Sequence, residues 1–114
     1  MDILLVEGDA LKALRLAGQL ARAGHRAKAV TNDPASALAL LREMRFGGAL
    51  IGGGLYPATA VGDMAARIRS LGGAVVWDGA HPGLTAPGDW VLSGAPDVLE
   101  ISSAFETPPA VAVA

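Results

Sequence analysis

Short apolar runs alternating with amphipathic stretches predict an α/β protein, a three-layer αβα sandwich in which helices cover both faces of a doubly wound, five-stranded parallel sheet. Two observations carry this. Residues 3–6, 49–52 and 74–77 are apolar without in-and-out alternation, the pattern of strands covered on both faces. Between them lie segments with apolar residues at helical spacing, opened by capping residues and closed by glycine. A length of 114 residues is enough for one core and too little for two.

The first strand, 3–6, runs into Glu7-Gly8-Asp9. Asp9 is placed to cap a helix with Leu11, Leu14, Leu20 and either Ala17 or Ala21 facing inward, and Lys12, Arg15, Gln19 and Arg22 elsewhere. Gly24 ends that helix, and residues 26–30 alternate basic and apolar, as an outer strand does. Asp33 and Pro34 open a second helix, with Ala37 and Leu41, or Leu38, Leu41 and Met44, turned inward. Phe46-Gly47-Gly48 closes it.

The third strand, 49–52, is followed by Gly53, Gly54, Leu55, Tyr56 and Pro57. A helix within 58–71 presents Met64, Ile68 and Leu71 on one side, and Gly72-Gly73 stops it. The fourth strand, 74–77, ends in a core Trp77 before Asp78-Gly79-Ala80-His81. Pro82, Gly83 and Pro87 leave little room for a regular helix in the next connection. A fifth strand over 90–92 and a last helix over 96–105, with Val98, Leu99, Ile101 and Ala104 inward, complete the fold. The Thr-Pro-Pro-Ala-Val-Ala-Val-Ala tail carries no amphipathic pattern and is expected to fray.

A formal charge of −2 argues against electrostatic capture of nucleic acid, which needs a concentrated basic footprint. The absence of cysteine excludes disulfides and thiolate chemistry. No basic n-region precedes an apolar core at the start, and no apolar run nears the roughly 20 residues that span a bilayer. A soluble, cytoplasmic protein without membrane attachment is the expectation. Neither G-x-G-x-x-G nor a Walker A sequence occurs, so the dinucleotide-binding and P-loop versions of the fold lack their phosphate cradles.

Three stretches point to one family. Glu7-Gly8-Asp9 after the first strand, Leu50-Ile-Gly-Gly-Gly-Leu-Tyr-Pro57 at the third, and Gly88-Asp-Trp-Val-Leu-Ser-Gly-Ala-Pro96 around the fifth resemble the CheY-like receiver domain of two-component response regulators over residues 1–105. The resemblance implies a flavodoxin-like sheet of order 2-1-3-4-5 with its fourth helix short or absent, followed by a tail at 106–114. It also implies a phosphorylation pocket whose key groups are missing. The family's phosphoacceptor aspartate falls at Gly53, its second magnesium-binding acid at Gly8, its small hydroxyl residue at Asp78 and its lysine at Gly94.

Acyl phosphate formation needs a carboxylate nucleophile, a cation for the incoming oxygens and a positive group to hold the product. Gly53 cannot be phosphorylated. The chain therefore reads as a degenerate, phosphorylation-independent receiver, not an enzyme and without a cofactor or metal. It would act in two-component signalling by binding a protein partner or a second copy of itself. The family's face of fourth helix, fifth strand and fifth helix is the expected surface, with Trp90, Val91, Val98 and Ile101 on it. The rival expectation is a small-ligand or divalent-metal binder using Glu7, Asp9, Asp78 and the glycines at 52–54, since three acids in one crevice repel without a cation. His81 reads as a loop histidine, with His25 placed by a helix-ending turn at the opposite end of the strand direction, so that the two do not meet.

Overall fold

A computed structural model of the chain describes residues 1–79, 81, 83–93 and 96–106. The elements follow in the order β1 (Asp2–Val6), α1 (Ala10–Arg22), β2 (Arg26–Thr31), α2 (Pro34–Glu43), β3 (Gly48–Ile51), α3 (Ala58–Ser70), β4 (Ala74–Asp78), β5 (Trp90–Leu92) and α4 (Val98–Glu106). All strand pairs are parallel, in the order β2-β1-β3-β4-β5. This is the expected doubly wound sheet.

Alternation along the strands sorts the core into two layers. Leu4, Val6, Ala49, Ile51, Val75 and Trp77 face α2 and α3, where Leu41, Met64 and Ile68 meet them. Ile3, Leu5, Leu50, Val76 and Leu92 face the other way, against Leu16, Leu20, Ile101 and Phe105 of α1 and α4. Because β1, β3 and β4 are covered on both sides, their runs are apolar throughout, whereas β2 is an edge strand and alternates. The carboxyl ends of β1, β3 and β4 open at one edge, where such sheets place their crevice.

The inward face of α1 differs from the one expected. Ala13, Leu16 and Leu20 are buried, while Leu11 and Leu14 are 80% and 73% exposed. The sequence offers two leucine-bearing stripes, 11/14/21 and 13/16/20, and apolar spacing does not separate them. The stripe that wins inserts two leucines against the sheet and swings Lys12 over the strand ends, beside buried acids. Truncation should reveal the choice: Leu16→Ala costs about 3 kcal/mol of unfolding free energy and Leu14→Ala less than about 0.5 kcal/mol, measured by urea denaturation.

The last helix departs in the same way: Leu99, expected inside, is 77% exposed, whereas Ile101, Ala104 and Phe105 are buried. Leu71, also expected inside, follows the end of α3 and is exposed. Expected boundaries shift by one or two residues, with α2 ending before Met44 and Gly48 already in β3. Glu106 closes α4, and the tail at 107–114 lies outside the described residues.

Among the described residues no helix links β4 to β5. The link is held instead by a carboxylate. Asp89 accepts hydrogen bonds from Arg69 Nε (3.0 Å), Arg69 Nη2 (2.6 Å), the Trp77 indole N–H (2.8 Å) and the Ala86 backbone N–H (2.9 Å). Arg69 Nη2 also donates to the Leu84 carbonyl (3.1 Å). One buried acid thereby ties α3, β4 and the connecting loop together, and Leu84 packs on the core beside Trp77.

Candidate functional site

The crevice at the carboxyl ends of β1, β3 and β4 is built from the strands outward. Glu7 directly follows β1 and is only 4% exposed; its Oε2 accepts the Asp9 backbone N–H at 3.0 Å, which folds the side chain back over the strand end. That side chain occupies the space beside Gly52, just past β3: a Cβ built there falls 2.6 Å from Glu7 Cδ and nearer still to Oε1. Gly52 donates to the Val6 carbonyl at 2.7 Å, so its backbone is anchored too. A glycine at 52 is what makes room for the buried glutamate.

Asp78 ends β4 and is 2% exposed. Neighbouring Gly53 is exposed and uncrowded, since a Cβ there meets only the Asp78 carbonyl oxygen at 3.8 Å. Asp9 is turned away from the pair. Its Oδ1 caps α1, accepting the backbone N–H groups of Leu11 (3.0 Å) and Lys12 (3.1 Å), as its position suggests. Gly8 is exposed and brings no ligand. Gly94 lies outside the described residues.

The group that completes the site is Lys12. Side chains on a helix lean toward its N-terminus, so a lysine in the first turn of α1 reaches back over the strand ends. Its Nζ lies 2.8 Å from Asp78 Oδ2 and 4.0 Å from Glu7 Oε1. The close approach to the Asp78 carboxylate raises the Lys12 pKa above its ordinary value; burial opposes this, and the charge of Glu7 reinforces it. The lysine therefore stays charged at neutral pH. The composition pattern had placed Lys12 among the solvated residues of its helix; the missed signal was a lysine three residues beyond an N-cap that itself follows a strand-end acid.

The divalent cation that receivers coordinate does not fit this arrangement. Glu7 and Asp78 face one another across a space that the Lys12 ammonium holds, and Asp9, the third expected acid, is committed to backbone N–H groups. Among the described residues no group of three His, Cys, Asp or Glu side chains is set to hold a metal ion.

An open cleft of about 760 Å³ lies beside the pocket, lined by Glu7, Gly8, Asp9, Asp33, Gly53 and Tyr56 among others. Asp33 has its carboxyl held below the usual range by the Ser36 backbone N–H and hydroxyl that it accepts. His81 lies against Trp77, ring centroids 4.6 Å apart, with Nε2 3.1 Å from the Gly52 carbonyl oxygen. His25 packs elsewhere, on Phe105, so the two histidines have separate surroundings.

The expected interaction surface is altered by one residue. Ile101 is fully buried in the core between α1, α4 and the sheet and cannot meet a partner; the helical register that buries Phe105 and Ala104 buries it as well. Val91 is exposed, and Val98 and Trp90 are half-buried, Trp90 against the same core.

No family model matches the sequence, and no curated protein does. Solved structures do resemble it. One is the solution structure of the BeF3-activated conformation of SdrG from Pseudomonas melonis Fr1, 18% identical, with a TM-score of 0.71 over 91% of this chain and 92% of that one. Another is the N-terminal domain of a response regulator/sensory box/GGDEF 3-domain protein from Carboxydothermus hydrogenoformans, 16% identical, with a TM-score of 0.69 over 92% of this chain and 94% of that one. At these identities the likeness speaks for the fold, and with the strand order it shows that this chain has the CheY-like, flavodoxin-like fold of response-regulator receiver domains.

Proposed function

We propose that the chain is a receiver-like signalling module that works by protein contact and takes no phosphoryl group. The observation that carries this reading is Gly53, an exposed glycine beside Asp78 at the end of β3, where the resemblance calls for the reactive carboxylate. Without that nucleophile an acyl phosphate has no atom to form on. Of the carboxylates around Gly53, Asp9 and Asp33 are helix caps, which leaves Glu7 and Asp78. Both are buried and face Lys12, which lowers their reach toward a phosphodonor.

Contact-based signalling needs a surface. Val91 on β5 and Leu99 on α4 are large apolar side chains left exposed, and Leu11 and Leu14 are others on α1. Apolar exposure of this kind is where interface energy concentrates. A partner protein or a second copy of the chain is the proposed binder, with neither nucleic acid nor membrane involved. No helix among the described residues is long and apolar enough to cross a membrane. The competing reading, a metal or small-ligand binder, has less support because Asp9 is a cap and Asp78 already has a cation.

Incubating the chain with acetyl phosphate and Mg²⁺, then measuring its intact mass, tests the proposal. An unchanged mass is expected. Addition of one phosphoryl group that hydroxylamine removes would overturn it.

A further inference from the structure

We infer that Lys12 is the resident cation of the crevice, a tethered ammonium that stands where a divalent ion would and keeps such ions out. Two observations point the same way. Glu7 and Asp78 are each more than nine-tenths buried, and among the described residues Glu7 Oε1 and both Asp78 carboxylate oxygens have no hydrogen-bond partner, only the ion pair with Lys12. Carboxylate oxygens buried without donors need a positive charge close by. The lysine supplies it at 2.8 Å from Asp78 and 4.0 Å from Glu7.

The pocket's charge count fixes its selectivity. Two carboxylates and one ammonium leave a single net negative charge, and the ammonium fills the space between the acids. A hard divalent ion would have to displace a side chain tethered to α1 as well as shed its own water. With the lysine removed, the same two acids stand together at two negative charges, with a cavity between them and Glu7 held by its Oε2 on the Asp9 N–H so that its Oε1 is left free. That is the start of an oxygen-ligand site for Mg²⁺ or Mn²⁺, completed by water. One residue therefore decides whether this crevice is closed or metal-binding.

The inference does not depend on the chain being a signalling module. If the chain accepted a phosphoryl group yet ignored metal, only the signalling proposal would fall. The test is thermal unfolding of the wild-type chain and of Lys12→Ala with and without 10 mM MnCl₂, or about that concentration, against NaCl of equal ionic strength. The wild-type midpoint is expected not to move, and that of Lys12→Ala to rise by roughly 5 °C or more, saturably.

A folded variant with no metal response would overturn the inference, as would a wild-type chain stabilised as much as the variant. Should the variant fail to fold alone, Mn²⁺ is expected to restore its structure. The wild-type chain gives a second reading by NMR. Amide signals of Gly8, Asp9 and Gly53 are expected to keep their linewidths as Mn²⁺ is added, and selective broadening of them at sub-millimolar metal would contradict a resident lysine.

Discussion

Gly52→Ala is expected to lower the unfolding free energy by about 3 kcal/mol, while Gly53→Ala one position on changes it by less than about 0.5 kcal/mol. Both are glycines at the mouth of the crevice, and both lie in a run that reads as one flexible loop. Their surroundings separate them. A methyl group at 52 lands on the Glu7 carboxylate, which is buried, bonded to the Asp9 N–H and faced by Lys12, so it has nowhere equivalent to go. A methyl group at 53 meets one carbonyl oxygen at ordinary van der Waals distance. Neither residue has the positive φ that would penalise alanine by itself. Urea denaturation of the two variants checks the contrast, and equal effects would show that Glu7 is not seated against Gly52.

Asp89→Ala should cost a similar amount, about 3 kcal/mol, because removing one carboxylate leaves the Trp77 indole N–H, the Ala86 N–H and a partly buried Arg69 without their acceptor. The loss should be local as well as global. Hydrogen exchange at residues 83–89 is expected to speed up more than in β1 or β3, since the Asp89 carboxylate is what fastens that loop to α3 and Trp77.

Its pH dependence has a definite sign. Burial pushes the Asp89 carboxyl up, but the Arg69, Trp77 and Ala86 donors outweigh it and hold the pKa below the ordinary value. A depressed folded-state pKa means that the clamp's contribution is whole above the unfolded pKa near 4 and is lost as pH falls through the lower, folded one. The stability difference between wild type and Asp89→Asn should therefore shrink below about pH 4.

Most of the fold was legible because the central strands are short apolar runs and the caps are residues with a single good use. Asp9 and Asp33 are both N-caps, as their spacing suggests, and the breakers at 82–88 explain why no helix links β4 and β5 among the described residues. What failed were choices between near-equal stripes. On α1 and α4 the sequence places large apolar residues on more than one face, and the winner is settled by packing against the sheet and by where neighbouring charges go. Lys12 and Asp89 show the same limit. Each is a surface-type residue by composition, and each becomes structural only because a distant strand end or tryptophan lies within reach.

The acids themselves were found from sequence, yet their grouping was not: Asp9 separates from Glu7 and Asp78 once the cap is formed. Gly53 and Gly8 as absences needed no structure, since a missing side chain is visible in the letters.

The most direct measurement is a crystal of the wild-type chain soaked in MnCl₂, with anomalous scattering recorded above the manganese edge. The expected result is the Lys12 nitrogen between Glu7 and Asp78 with no anomalous peak there. A peak bonded to both carboxylates, with Lys12 turned out to solvent, would contradict the account.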